Sequence, residues 1–128
     1  MPKNILVVED DRFMAKMLKA RLETHGFEVD TASDGREGLA KARANRPDLI
    51  VLDVMLPRLD GYHVCRLLKF DERYRHIPIF ILTTRSQDSD RKIGEAVGAD
   101  EYLIKPYDMD NLLGRIWHHL GPTTRSVK

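Results

Sequence analysis

The residue best placed to do chemistry is Asp53. It closes Leu49-Ile50-Val51-Leu52, four apolar residues in a row that end at one carboxylate. A run so short and so rich in β-formers reads as a buried strand of a parallel sheet. The carboxyl ends of such strands are where open α/β sheets place their ligands. Three other short apolar runs also end in polar groups. Ile5-Leu6-Val7-Val8 ends at Glu9-Asp10-Asp11, Ile77-Pro78-Ile79-Phe80-Ile81-Leu82 at Thr83-Thr84, and Tyr102-Leu103-Ile104 at Lys105-Pro106. In a doubly wound sheet these ends lie on one edge. Carboxylates gathered there repel one another unless a cation sits among them, and oxygen ligands from one or two acids plus water are what Mg2+ takes. A hydroxyl and an ammonium facing the same point suit a transferring phosphoryl group, whose charge lies on its peripheral oxygens. The set reads as an aspartate nucleophile, a Mg2+ cradle, a hydroxyl donor and a lysine counter-charge. An aspartate carboxylate can form an aspartyl-phosphate, and with a free pKa of about 3.9 it is ionised near neutral pH.

The elements that must position these groups alternate along the chain. After the first strand, Phe13, Met14, Met17, Leu18 and Leu22 recur at helical spacing and predict a helix over about Asp11 to Thr24, closed by His25-Gly26. Phe27, Val29 and Thr31 alternate with Glu28 and Asp30, which suits a strand with one more exposed face. Ser33-Asp34-Gly35 turns into a second helix that carries Leu39 and Ala42 inward and stops at Arg46-Pro47. Past the Asp53 strand, Leu56 to Gly61 has turn chemistry, and a third helix sets Val64, Leu67 and Leu68 on one side. A helix over about Ser86 to Val97 offers few apolar anchors (Ile93, Ala96, Val97), which marks it as the mobile element. The last helix has the clearest amphipathic pattern, with Met109, Leu112, Leu113, Ile116, Trp117 and Leu120 on one stripe, and Gly121-Pro122 ends it. Five strand–helix alternations predict an α/β fold, a parallel sheet with helices on both faces.

Composition narrows the function classes. A chain of 128 residues fits one domain with a real core, and 42% apolar with 32% charged residues is ordinary for a globular protein. The net charge of +1 points to neither nucleic acid nor membrane. The lone cysteine, Cys65, excludes an internal disulfide and fits a reducing compartment. No apolar stretch approaches the roughly 20 residues of a membrane span, and Met1 to Asn4 leads into a run too short for a signal peptide. A cytoplasmic location is expected. Each polar strand end also has a plain structural explanation. Acids after a strand cap helices, Thr83 alone could be a loop hydroxyl, and Lys105 alone a solvated lysine. An Asp after a buried strand also resembles the metal-holding strand of P-loop NTPases, but the chain has no G-x-x-x-x-G-K-[ST]. Specificity lies in four strand ends bringing complementary groups to one edge.

Taken together, Ile5 to Asp11, Asp48 to Asp53 with Met55-Leu56-Pro57 and Asp60-Gly61, Thr83-Thr84, and Gly98 to Pro106 resemble the receiver domain of two-component response regulators. The resemblance runs from about Lys3 to Leu120 and implies a receiver unit over residues 3–121 with a flexible tail at 122–128. It implies a flavodoxin-like, doubly wound five-stranded parallel sheet of order 2-1-3-4-5, an order for which a receiver of this family is a standard example. By motif position, Asp53 is the implied phosphoacceptor, and Mg2+ the implied cofactor. Asp10 and Asp53 would reach the metal directly, Glu9 mainly through water, and Met55 through its backbone carbonyl. Thr83 is the implied switch hydroxyl beside Thr84, Lys105 the phosphoryl partner, and Tyr102 the aromatic that turns inward when Thr83 moves. The bond before Pro106 is expected to be cis.

The implied partners are a sensor histidine kinase or histidine phosphotransfer protein, and a downstream effector or covalently linked output domain. Direct contact with nucleic acid or membrane is not expected. Dimerisation through the helix after Thr84, the fifth strand and the last helix stays open, as does a stand-alone receiver against a piece of a longer regulator. Two other classes compete. A phosphatase of the haloacid dehalogenase type wants a second Asp two residues after the first, where Met55 stands. A flavodoxin-like cofactor binder wants a Gly-rich first loop, where the acids stand. Met55 is expected to border the phosphoryl group and to slow its loss, since a thioether cannot orient water. His118-His119 cannot share one helix face, His63 and Cys65 point apart, Trp117 reads as packing, and Arg73 to His76 as a solvated loop.

Overall fold

The computed structural model describes residues 2–84, 92–93 and 95–121. The elements run β1 (Asn4–Val8), α1 (Arg12–Thr24), β2 (Glu28–Ala32), α2 (Gly35–Asn45), β3 (Leu49–Asp53), α3 (Gly61–Lys69), β4 (Ile79–Thr83), β5 (Glu101–Ile104) and α4 (Met109–Leu120). The five strands form one parallel sheet of order β2-β1-β3-β4-β5. The sheet and its order are those expected from the sequence.

Alternation along each inner strand splits the core in two. Leu6, Val8, Ile50, Leu52, Ile79 and Ile81 face α2 and α3 and pack with Ala42, Val64, Cys65 and Leu68. Ile5, Val7, Leu49, Val51, Phe80 and Leu82 face α1 and α4 and pack with Leu18, Leu22, Leu112, Leu113 and Ile116. Side chains of successive strand residues point to opposite faces, so a strand covered on both faces must be apolar throughout. β3 and β4 are buried at every position, and only their last residues, Asp53 and Thr83, depart from that rule.

All four of these helices start on an aspartate. Asp11, Asp34, Asp60 and Asp108 each accept from a backbone N–H of the first turn, a cap worth about 1 kcal/mol apiece. Gly61 follows one of them in a tight place. A Cβ there would lie 2.3 Å from the Asp53 carbonyl oxygen, so only glycine lets α3 begin against the end of β3.

Four expectations are corrected. Phe13, Met14 and Met17 of α1 are exposed, and Ala15, Leu18 and Leu22 form its buried face. On α3 Leu67 is exposed and Cys65 takes the inward place beside Val64 and Leu68, because the turn starting at Gly61 sets the helix's rotation. Tyr74 lies in no solvated loop. It is buried, with the guanidiniums of Arg46 and Arg73 each 5.2 Å from its ring centroid. Of the helix expected over 86–97, residues 92–93 and 95–96 are helical and Val97 is buried, while Ile93 and Ala96 are exposed. The rest of that helix, and the tail from 122, lie outside the described residues.

Candidate functional site

Register decides which side chains meet. Val8 pairs with Leu52, Asp53 with Leu82, and Thr83 with Ile104. The residues just past those pairs therefore crowd one edge of the sheet. Glu9, Asp10 and Asp53 each bring a carboxylate oxygen within 4.8 Å of the others. Lys105 reaches back over them, its Nζ 3.2 Å from Glu9 Oε1 and 3.4 Å from Asp53 Oδ2. Asp53 Oδ1 accepts from the Met55 backbone N–H at 3.3 Å. Asp11 stands apart from the group, for its carboxylate caps α1 through the N–H groups of Phe13 and Met14. The three acids after β1 thus divide between a helix cap and a cluster.

The cluster is electrostatically uneasy. Burial pushes the Glu9 carboxyl up, and the Asp53 charge adds to that, against the lowering effects of the Asp11 backbone N–H and Lys105. Burial opposes charge on Lys105, but Asp53 and Glu9 outweigh it and hold the ammonium above its ordinary value. One lysine thus pairs with two of the three clustered carboxylates. Hard oxygen donors converging at that spacing fit a small divalent cation such as Mg2+, and the charge imbalance gives such a cation something to neutralise.

The remaining predicted residues surround this cluster. Thr83 is wholly buried at the end of β4, and Thr84 is exposed beyond it. Lys105 donates its backbone N–H to the Thr83 carbonyl at 2.7 Å, which ties the ends of β4 and β5 together. The Lys105–Pro106 peptide bond is cis. Tyr102 lies opposite Ile81 and is half-buried against the α2–α3 core. The Met55 side chain is exposed. Among the described residues His63 and Cys65 join no metal-ligand cluster. His63 Nδ1 sits 3.1 Å from the cap residue Asp60, and burial pushes the Cys65 thiol up to about 12.

Comparison with known proteins meets this arrangement. The family model for the response regulator receiver domain matches residues 5–117. The chain belongs to that family. Response regulator MprA of Mycolicibacterium vanbaalenii is 46% identical over 97% of this chain and 53% of its own length. The receiver domain of the sensor histidine kinase PA1611 from Pseudomonas aeruginosa, solved with a magnesium ion coordinated in its active-site cleft, superposes with a TM-score of 0.86 at 31% identity, over 94% of this chain and 99% of that one. The BeF3-activated DrrB receiver domain gives a TM-score of 0.84 at 33% identity, covering 94% and 98%. The chain spans about half the length of the curated relatives it matches.

Sequence reasoning passed over two features of this receiver domain. Tyr62, the second residue of α3, sits hydroxyl to hydroxyl with Tyr102 at 3.2 Å. Glu101, which opens β5, is held by Arg115 at 2.9 Å and His119 at 3.0 Å. An aromatic after Asp60-Gly61 was the one available signal for the first. The second joins residues that no local pattern relates.

Proposed function

We propose that this receiver domain takes a phosphoryl group from a phosphohistidine onto Asp53 and answers by rearranging the end of the sheet around Thr83, Tyr102 and Lys105. The observation that carries this reading is the cluster itself: a buried carboxylate at the end of a fully buried strand, two further acids within 4.8 Å, and a lysine bridging Asp53 and Glu9.

In the transfer, an Asp53 carboxylate oxygen bonds to phosphorus as the P–N bond of the donor breaks. The imidazole nitrogen leaves with the electron pair and takes up a proton. Glu9, Asp10, Asp53 and the Met55 carbonyl are the groups that would hold Mg2+, which when bound screens charge on the phosphoryl oxygens. Lys105, beside Asp53 and Glu9, supplies a positive charge, and Thr83 the hydroxyl that can donate to the new group. Phosphorylation adds roughly −1.5 to −2 of charge. It shifts the balance between arrangements by what the phosphoryl group gains in one over the other. The domain on this reading is a signalling switch with slow self-dephosphorylation and not an enzyme acting on an external substrate. Its upstream partner is a histidine kinase or phosphotransfer protein, its output a linked domain or a separate effector, and its place the cytoplasm. Among the described residues no helix is long and apolar enough to cross a membrane.

Incubation with acetyl phosphate and Mg2+ tests this. The expected product is a base-labile adduct of one phosphoryl group that is absent in Asp53→Asn and absent without divalent metal. An adduct of equal yield in Asp53→Asn would overturn the assignment.

A further inference from the structure

Tyr62 follows Gly61 at the start of α3. Its ring is buried, and its hydroxyl oxygen lies 3.2 Å from that of Tyr102. The two ends of this contact are anchored in different parts of the molecule. Gly61 donates its N–H to the Val54 carbonyl at 3.1 Å and packs against the Asp53 backbone, so the first turn of α3 is seated on the segment that carries the acceptor. Tyr102 lies within β5, which pairs with β4 as far as Thr83. A hydroxyl pair thus bridges the acceptor segment and the strand that ends in Lys105.

We propose that the Tyr62 hydroxyl is a positioning contact that holds Tyr102 on the inward side of β5 and so favours the arrangement that accepts the phosphoryl group. This rests on the reading of Asp53 and Tyr102 given above. A phenol hydroxyl that moves out of water needs a partner inside, and Tyr62 supplies one at the place where Tyr102 packs against the α2–α3 core. Turned outward, Tyr102 would lose the Tyr62 contact. The pair therefore stabilises one arrangement and not the other, which is the condition for a contact to shift a population.

The test is the affinity for beryllofluoride, a phosphoryl mimic, in the presence of Mg2+. It is read by amide chemical shifts for the wild-type chain, Tyr62→Phe, Tyr102→Phe and the double variant. Tyr62→Phe keeps the ring and its packing. It is expected to weaken binding roughly two- to tenfold, the range a single neutral hydrogen bond spans. The double variant is expected to bind no more weakly than the weaker single, because both changes remove one shared contact. Unchanged or tighter binding by Tyr62→Phe, or effects that add in the double variant, overturns the proposal. A wild-type chain that binds no beryllofluoride rejects the phosphoacceptor reading itself, and the Tyr62 contact with it. Wild-type binding with an unaffected Tyr62→Phe rejects only the contact.

Discussion

β3 and β5 both end at the proposed site, yet they are built differently. Every residue of β3 is buried, and Asp53 stands on a strand hydrogen-bonded on both sides, between β1 and β4. β5 is an edge strand of the sheet, with Leu103 as its one buried residue. Among the described residues its outer supports are side chains: the Arg115 and His119 hold on Glu101, and the Tyr62 contact on Tyr102. A phosphoacceptor needs a fixed position, since misplacement of a reacting group costs rate steeply. A responding group needs two arrangements close in free energy. On the proposed function, the difference in burial suits β3 to the first role and β5 to the second.

The largest effect that would sharpen this contrast is on stability. Leu52→Ala removes a fully buried side chain beside Asp53 and is expected to cost about 2–5 kcal/mol in chemical denaturation. A loss below about 1 kcal/mol would mean that β3 is not the rigid half. Next comes the lifetime of the phosphoryl group. Met55 is exposed two residues past Asp53, and its thioether cannot orient a water. Met55→Asn is expected to speed loss of the phosphoryl group several-fold, roughly tenfold at most if one positioned hydrogen bond is gained. Equal or slower loss after acetyl phosphate loading would contradict this.

The smallest effect lies on β5. Burial disfavours the charge on Glu101, but the His119 and Arg115 contacts outweigh it and hold the carboxyl below its ordinary value. The stability it contributes is fully present above the unfolded value of about 4.3 and is lost as pH falls through the lower folded value. With Arg115 half exposed, the contribution is expected to be at most ~1 kcal/mol. Denaturation of Glu101→Gln should show that much less pH dependence below about pH 4.3, and an unchanged acid profile would remove this support from β5.

Much of the fold was legible because inner strands buried on both faces are forced into short apolar runs, and a polar residue ends each run at the same edge. Asp53, Glu9 and Lys105 stood out for that reason. Periodicity told less about which way a helix faces. Leu67 and Cys65 differ by two positions, and the rotation that buries one and exposes the other is set by Gly61 against Asp53, a contact that spacing does not encode. Tyr74 looked solvated because Arg73 and Arg75 flank it, yet Arg73 and the distant Arg46 lie over its ring. Lys69 was invisible for a similar reason. Its ammonium joins the carbonyls of Arg75 and Ile77 to the carboxylate of Asp100, a residue 31 positions away. The division of the acids after β1 came from the resemblance, which implied Glu9 and Asp10 at the metal; residue type alone does not separate Asp10 from the adjacent helix cap Asp11.

The central claim, a fixed acceptor strand and an adjustable reading strand, is tested most directly by amide chemical shifts of the isotope-labelled chain on adding beryllofluoride and Mg2+. Beyond the immediate neighbours of Asp53, the account predicts the largest changes at Thr83, Thr84 and Glu101 to Lys105, with Leu49 to Val51 nearly unmoved. Changes as large along β3 as along β5, or confined to the residues touching Asp53, would contradict it.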